Sequence, residues 1–326
     1  MTRVSIALAA YNGERHIREQ LDSFAAQTRL PDQLIVCDDG SSDRTVSIVD
    51  EFAATAPFDV AVIRNPENFG YSNNFARAIL QSDGDIIFLS DQDDVWFADK
   101  IATVLQTFDR HPAVQVVIND QVLTDEKLRH SGRTKLQNLK STGKTSAGMI
   151  EGCCTALRSE WSRRLFPMPA EADDLVRTED MSHDRWINEL AMLVGRRVVI
   201  ARPLQYFRRT GENTTSWLLS EPGRPKLRKI ARERQRAAPL SAWHTRIAVL
   251  DAYEGFLRSH AVPGDKDAAF PKIAHERSSH QQRIRLAALP LWRRPTLVWT
   301  LWRTGGYTYF NGWLSAANDL LRPRSP

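Results

Sequence analysis

The chain has 326 residues, 42% of them hydrophobic, long enough for one large domain with an appendage or for two modest ones. Its formal charge of +5 hides an asymmetry: residues 221–326 hold 19 Lys and Arg against 8 Asp and Glu (net +11), leaving 25 against 31 (net −6) in residues 1–220. Three cysteines, Cys37, Cys153 and Cys154, without metal-ligand spacing support neither a disulfide framework nor a zinc site, and no uncharged apolar stretch of about 18 residues is present to span a bilayer.

Short apolar runs rich in β-branched residues at 4–9, 34–37, 60–63, 86–89 and 114–118 predict strands, and amphipathic stretches near 14–27, 43–55, 71–81 and 98–110 predict helices between them. The first run is too short for a signal-peptide core and meets Tyr11-Asn12-Gly13-Glu14 at once, so a cytoplasmic protein is expected. The β-α rhythm predicts a mostly parallel sheet covered by helices, with ligands bound outside the carboxyl ends of the strands. Polar residues gather at those ends: Ala10-Tyr11-Asn12-Gly13 after the first run, Asp38-Asp39-Gly40-Ser41-Ser42 after the second, Asp91-Gln92-Asp93-Asp94 after the fourth. Beyond residue 120 the pattern loosens, with short strands expected at 152–157, 198–201 and 204–207 around a helix at 184–194. From about Glu221 the chain reads as helical, Arg-rich and Trp-rich, with breaks at Pro239, Pro263-Gly264, Pro271, Pro290 and Pro295.

The cluster at 91–94 packs three carboxylates into four residues, and their repulsion calls for a cation. Hard oxygen donors suit Mg²⁺ or Mn²⁺, with a nucleotide diphosphate completing the shell. A solvated acidic turn that caps a helix is the plain alternative. Gly40 permits a tight turn and Ser42 or Asp43 can cap the following helix, yet two adjacent aspartates before that turn exceed what capping needs. One of them can accept from the imide N–H of a uracil or thymine, with Tyr11 against the ring face.

These residues resemble the family 2 glycosyltransferases of GT-A fold, over roughly residues 3–215. The run from Val4 to Gly13, then Gln27-Thr28, then Val36 to Thr45, is similar to that family's nucleotide-binding half. The resemblance implies base contacts from Ala9, Tyr11 and Asp39, with Asp38 beside them, and closure over the nucleotide by Asn65, Asn68-Phe69-Gly70, Asn73 and Asn74. Asp91 and Asp93 fall on the DXD positions, with Asp93 the direct metal ligand and Asp91 a ribose or metal contact. The wording Leu89 to Trp96 resembles a branch rich in rhamnosyltransferases of bacterial surface polysaccharides, which implies a dTDP-rhamnose donor; other members use UDP-hexoses.

Gly152-Cys153-Cys154-Thr155-Ala156-Leu157 resembles the acceptor-side segment of that branch, and His183-Asp184-Arg185-Trp186 its His-Asp-x-Trp motif. By this likeness Asp184 is the catalytic base of an inverting transfer to a hydroxyl of a glycan or lipid-linked saccharide. Without the likeness, Asp184 reads as a helix N-terminal acid beside a core Trp. Asp173, Asp174, Glu179 and Asp180 are nearby rivals that read as loop charges. Where the branch often has His, this chain has Thr210, in the run Phe207-Arg208-Arg209-Thr210-Gly211-Glu212-Asn213, so Arg208 or Arg209 is expected to neutralise phosphate instead. The Gln-x-x-Arg-Trp motif of processive synthases is missing, with Ser182 at the Gln position, so transfer of one or a few sugars is expected.

The expected architecture is therefore a GT-A catalytic domain, Rossmann-like, over 1–220, with nucleotide-sugar binding in 1–119 and the acceptor side in 120–220, followed by a helical basic region over 221–326. Five of nine tryptophans, Trp243, Trp292, Trp299, Trp302 and Trp313, lie in that region beside Arg293, Arg294 and Arg303. Two readings stay open: a face on an anionic membrane, which would make the protein peripheral at the cytoplasmic side of the inner membrane, or a subdomain that packs its aromatics inward. A rival functional class is a nucleotide-sugar-binding protein of the same fold without catalysis. A dinucleotide oxidoreductase lacks its Gly-x-Gly-x-x-Gly, and a nucleic-acid partner is not expected, because acidic strand ends repel phosphate.

Overall fold

The computed structural model describes residues 1–141, 149, 151–178, 181–210 and 240–321. The chain divides into two compact units, residues 1–217 with 261–264 and residues 218–260 with 265–326.

In the first unit, β1 (Val4–Ala10), β2 (Gln33–Asp38), β3 (Asp59–Arg64) and β4 (Ile86–Ser90) lie in the order β3-β2-β1-β4, all parallel. The central strands β1 and β4 are near-continuous apolar runs because helices cover both faces of such a sheet, and they are buried almost throughout. Helices α1 (Ile17–Ala25), α2 (Thr45–Ala53) and α3 (Tyr71–Gln81) make the crossovers. The chain steps from β1 out to β3, then returns to lay β4 on the other side of β1. The carboxyl ends of β1 and β4 thus flank a topological switch point, where open α/β sheets leave a crevice.

The sheet continues through β5 (Val95–Trp96), β6 (Val116–Thr124), β7 (His130–Thr134), β8 (Thr155–Arg158) and β9 (Arg197–Arg208), giving the order β3-β2-β1-β4-β8-β6-β9-β5 with β7 beside β6. Here β8 runs antiparallel to both β4 and β6, while β6 and β9 are parallel. Helices α4 (Lys100–Arg110), α5 (Lys135–Ser141), α6 (Ser159–Leu165), α7 (Ala170–Arg177) and α8 (His183–Leu193) fill the connections.

Three elements differ from the sequence expectation. The strand expected at 114–118 runs to Thr124, because Asn119, Asp120 and Gln121 are polar yet buried and do not end it. The two short strands expected at 198–201 and 204–207 are one, β9, whose register against β6 shifts near Pro203, a residue with no N–H for the ladder. Residues Gly152–Cys154 form a 3₁₀ turn that leads into β8 rather than strand.

The second unit is helical: Leu240–Ser259, Lys266–Ala288, Arg294–Arg303 and Trp313–Leu321. Pro271 lies inside Lys266–Ala288, and the helix continues through it one backbone hydrogen bond short. Asp265 caps that helix by accepting from the Ala268 N–H at 2.8 Å. Two arginines are internal to this unit. Arg283 makes a paired contact with Asp319 at 2.7 and 2.8 Å, with Tyr307 also donating to Asp319, and Arg294 donates to the Leu289 and Asp319 carbonyls. Trp243 is buried, beneath the Arg283 guanidinium.

Candidate active site at the strand ends

The loops after β1 and β2 are sewn together by their own polar groups. Asn12, held at a φ of 47°, accepts from the Ser42 N–H, while the Asn12, Gly13 and Glu14 N–H groups donate to Ser41, Thr45 and Asp43. Asp38 is buried and accepts from both N–H and hydroxyl of Ser41. Asp39, 2% exposed, accepts from Asn65 Nδ2 at 2.7 Å and from the Phe69 and Gly70 N–H groups at 2.9 Å, so it fixes the 65–70 loop while one lone pair of Oδ2 stays available. Asn74 donates to the Cys37 and Ala10 carbonyls and accepts from Asn65, stapling the ends of β1 and β2. Ala9 is half-buried on β1, Asn68 is exposed, and Gly70 sits at a φ of 82° that favours glycine. Tyr11 is 49% exposed at the mouth of this loop pair.

Gln92 joins that pair to the acidic cluster, a role the sequence did not reveal. Its side chain accepts from the Tyr11 N–H and donates to the Tyr11 carbonyl, both at 2.8 Å. The approach is so close that a Cβ on Gly13 would lie 2.3 Å from Gln92 Oε1, which explains the glycine in Tyr11-Asn12-Gly13.

Within the cluster the three aspartates divide. Asp94 is fully buried, and its oxygens accept from Gln205 Nε2 at 2.9 Å and the Arg208 N–H at 3.2 Å. One oxygen each of Asp91 and Asp94 lies within 4.8 Å of the Cys153 sulfur and of the other, the group among the described residues that meets metal-ligand spacing. Asp93 is outside that group; its carbonyl accepts from Arg208 Nε at 2.8 Å. Burial, then the charges of Asp93 and Asp184, push the Asp91 carboxyl up to about 7. Burial, then Asp93 and Asp91, raise Asp94 well above the carboxylate range. Hydrogen bonding with Cys154 and burial keep the Cys153 thiol protonated, a poor donor for a hard cation.

Behind the cluster lies a cation that sequence reading also missed. Lys100 is 1% exposed, donates to the Cys153 carbonyl and to Gln205 Oε1, and stands 3.8 Å over the Trp96 ring. Burial lowers its ammonium to about 8. Gln205 relays between Lys100 and Asp94, so the carboxylates rest on an internal positive charge. The one available sequence signal is a lysine at a core-facing position of an amphipathic helix.

In the segment expected on the acceptor side, Gly152 and Cys153 are adjacent and connect the two acidic groups. The Gly152 N–H donates to Asp184 Oδ2 at 3.2 Å, and the next residue, Cys153, brings its thiol to Asp91 and Asp94. Ser182 Oγ and the Arg185 N–H donate to the other oxygen of Asp184, fixing its orientation. His183 is buried, stacked on Phe75 at 4.1 Å, and burial lowers its pKa, which keeps the ring neutral. A Cβ on Gly152 would lie 2.8 Å from His183 Nε2, so this turn too requires glycine.

Two expected contacts take another form. Trp186 has no exposed surface and donates its indole N–H to the Leu165 carbonyl; it is core, and cannot touch an acceptor. Arg208, expected at phosphate, is 3% exposed, and its guanidinium is committed to the Asp93 and Glu126 carbonyls and the Glu19 carboxylate. It braces the acidic loop from behind. Arg209 is half-buried, and its backbone N–H donates to the Thr124 carbonyl at 3.2 Å, closing the end of β9 on β6. Thr210 ends the described stretch; Gly211, Glu212 and Asn213, like Glu179 and Asp180, lie outside the described residues.

Residues 5–166 match the profile of Glycosyl transferase family 2. This stretch of the chain belongs to that family. Among curated relatives of the family 2 module, dTDP-rhamnosyl transferase RfbG of Shigella flexneri is 37% identical over 102 residues, 30% of this chain and 35% of that protein. An Escherichia coli UDP-Glc:alpha-D-GlcNAc-diphosphoundecaprenol beta-1,3-glucosyltransferase, WfgD, is 34% identical over 98 residues, 30% of this chain and 38% of that one. The chain thus spans little more than a third of the length of these relatives. Among solved structures, S. aureus TarS 1-349 in complex with UDP-GlcNAc aligns over 99% of this chain and 89% of its own, with a TM-score of 0.59 and 16% identity. A Pyrobaculum calidifontis mannosyltransferase in complex with GDP-Man and Mn2+ aligns over 98% and 85%, with a TM-score of 0.50 and 16% identity. At that identity the likeness establishes the fold, the GT-A arrangement expected from the sequence.

Proposed function

We propose that this protein is a metal-dependent, inverting, non-processive glycosyltransferase that moves a sugar from a dTDP- or UDP-linked donor to a hydroxyl of a glycan or lipid-linked saccharide. The observation that carries the reading is the pair Gly152-Cys153, which sets Asp184 and the Asp91/Asp94 carboxylates on neighbouring residues of one turn. The relatives named for dTDP-rhamnosyl and UDP-glucosyl transfer support the donor classes. Tyr11 is exposed where a base can pack, and Asp39 keeps an acceptor position for an imide N–H.

A divalent cation, Mg²⁺ or Mn²⁺, suits the hard oxygen donors of Asp91 and Asp93, the two positions that the resemblance sets on the DXD pattern, while Asp94 lies fully buried with one donor on each oxygen, Gln205 and Arg208. When bound, it supplies charge stabilisation for the leaving diphosphate. Asp184 takes the proton of the acceptor hydroxyl as that oxygen attacks the anomeric carbon, and the bond from that carbon to the diphosphate oxygen breaks on the opposite side. Its three donors, Gly152, Ser182 and Arg185, hold the carboxylate in one orientation for that transfer.

The test separates binding from chemistry. With Mn²⁺ and a panel of dTDP, UDP and GDP sugars, the wild-type chain should be stabilised by dTDP or UDP species, and Asp93→Ala should lose that stabilisation. Asp184→Asn should keep it and lose transfer. Equal nucleotide binding without metal, or binding with no transfer to any acceptor, would favour the non-catalytic alternative.

A further inference from the structure

Four of the five tryptophans in the second unit are not part of its core. Trp292 is 72% exposed, Trp299 61%, Trp302 48% and Trp313 63%, whereas Trp243 is buried. In the helix Arg294–Arg303 the buried residues Arg294, Val298 and Leu301 share one side, and Pro295, Trp299, Trp302 and Arg303 project from the other. Trp292 lies in the 3₁₀ turn Leu291–Arg293 that leads into this helix and is itself exposed. In the helix Trp313–Leu321 the buried residues are Ser315, Ala316 and Asp319, while Trp313, Leu320 and Leu321 are exposed.

The charge on this stretch has one sign. From Arg277 to Leu321 the sequence contains a single carboxylate, Asp319, and it is buried against Arg283. Arg285, Arg293 and Arg303 are exposed, and the Arg293 guanidinium lies 4.5 Å over the Trp292 ring. We infer that this face seats on an anionic lipid surface, with the indole rings at headgroup depth and the arginines among lipid phosphates. A second copy of this chain is a poorer occupant, because a two-fold contact would set the arginine-bearing face against itself. No described helix is long and apolar enough to cross a membrane, so the protein would lie on the surface. The inference rests on this unit alone and stands or falls apart from the transferase reading.

The experiment is flotation of the full chain with phosphatidylcholine vesicles, with and without phosphatidylglycerol. The wild-type chain should float with the anionic vesicles and detach as salt rises. Combined Trp292→Ala, Trp299→Ala and Trp302→Ala should weaken partitioning about tenfold or more, and Arg293→Gln and Arg303→Gln about fivefold each. Brominated phosphatidylcholine mixed with the anionic lipid should quench tryptophan emission of the unaltered chain, a reading that needs no variant to fold. Absence of flotation and quenching in the wild type overturns the inference, as does equal flotation of the well-folded triple variant. A dimer that the triple variant dissolves, or binding to single-stranded RNA, without vesicle binding in either case, overturns it too.

Discussion

The strand ends of β1 and β2 and the segment from Gly152 to Arg208 both hold buried polar residues but use them differently. In the first, side chains tie neighbouring loops and strand ends together: Asp39 to the 65–70 loop, Asn74 of α3 to two strand carbonyls, Gln92 to the Tyr11 backbone. In the second, Gln205 and Arg208 stand behind the carboxylates of the acidic cluster, together with Lys100 of α4. The difference teaches that membership of a motif does not specify contact with substrate. Asp184 presents an oriented carboxylate, while its motif partner Trp186 is core.

The largest expected effect tests whether Asp184 differs in kind from the residues around it. Asp184→Asn keeps the size of the side chain and removes the proposed base, so transfer should fall about 10²- to 10⁴-fold in steady-state assays, with nucleotide affinity within about twofold of wild type by calorimetry. A comparable loss of nucleotide affinity would mean that the residue serves the donor side and that the two regions do not divide the labour in this way.

Next in size is the buried support. Lys100→Met leaves Asp94 and Gln205 without their internal cation, and Arg208→Met strands the Asp93 and Glu126 carbonyls. Each should cost about 3–5 kcal/mol of unfolding free energy in denaturant titration. An unchanged midpoint in either variant would place that side chain in the solvent-facing site instead.

This buried support is also where the sequence was hardest to read. Strands β1, β2 and β4 were legible because strands covered on both faces are continuous apolar runs, and their polar ends fall where an α/β sheet binds ligand. Asn119, Asp120 and Gln121 read as the end of a strand because polarity usually marks exposure, yet they are buried; Gln121 accepts from Gln205, and Asp120 accepts from the Leu136 N–H. Pro203 made β9 look like two strands. Lys100 and Arg208 find their partners across roughly a hundred residues of sequence, a pairing that periodicity does not encode.

A smaller effect concerns pH. The Asp91 carboxyl is raised to about 7 in the folded chain, against an ordinary value of 3.8. Between those values the folded state holds the proton that the unfolded state has released, so stability of the metal-free protein should fall as pH rises from about 4 to about 7 and level off above it. The fall should be roughly 2 kcal/mol once shared with the neighbouring carboxylates. Added Mn²⁺ should restore most stability at and above pH 7, where no proton must be displaced. Thermal unfolding with chelator and with Mn²⁺ across that range checks both. A metal-free stability that rises through the window would mean that the cluster is already balanced without a divalent cation.

The smallest effect bears on the tie between the Tyr11 loop and the acidic cluster. Gln92→Ala removes two hydrogen bonds to the Tyr11 backbone and opens the space that Gly13 leaves for the amide. Because both hydrogen bonds are exposed, water can replace them, and the stability loss should stay near 1–2 kcal/mol. The Tyr11 loop is the proposed seat of the base and the Asp91 loop that of the diphosphate, so loosening their link should raise the KM for donor with little change in kcat. A second substitution, Gly13→Ala, should reproduce the effect from the other side, since its new Cβ would overlap Gln92 in the wild-type background and fit once Gln92 is alanine. If the double variant is no better than the product of the two single ones, the tie is not what aligns the loops.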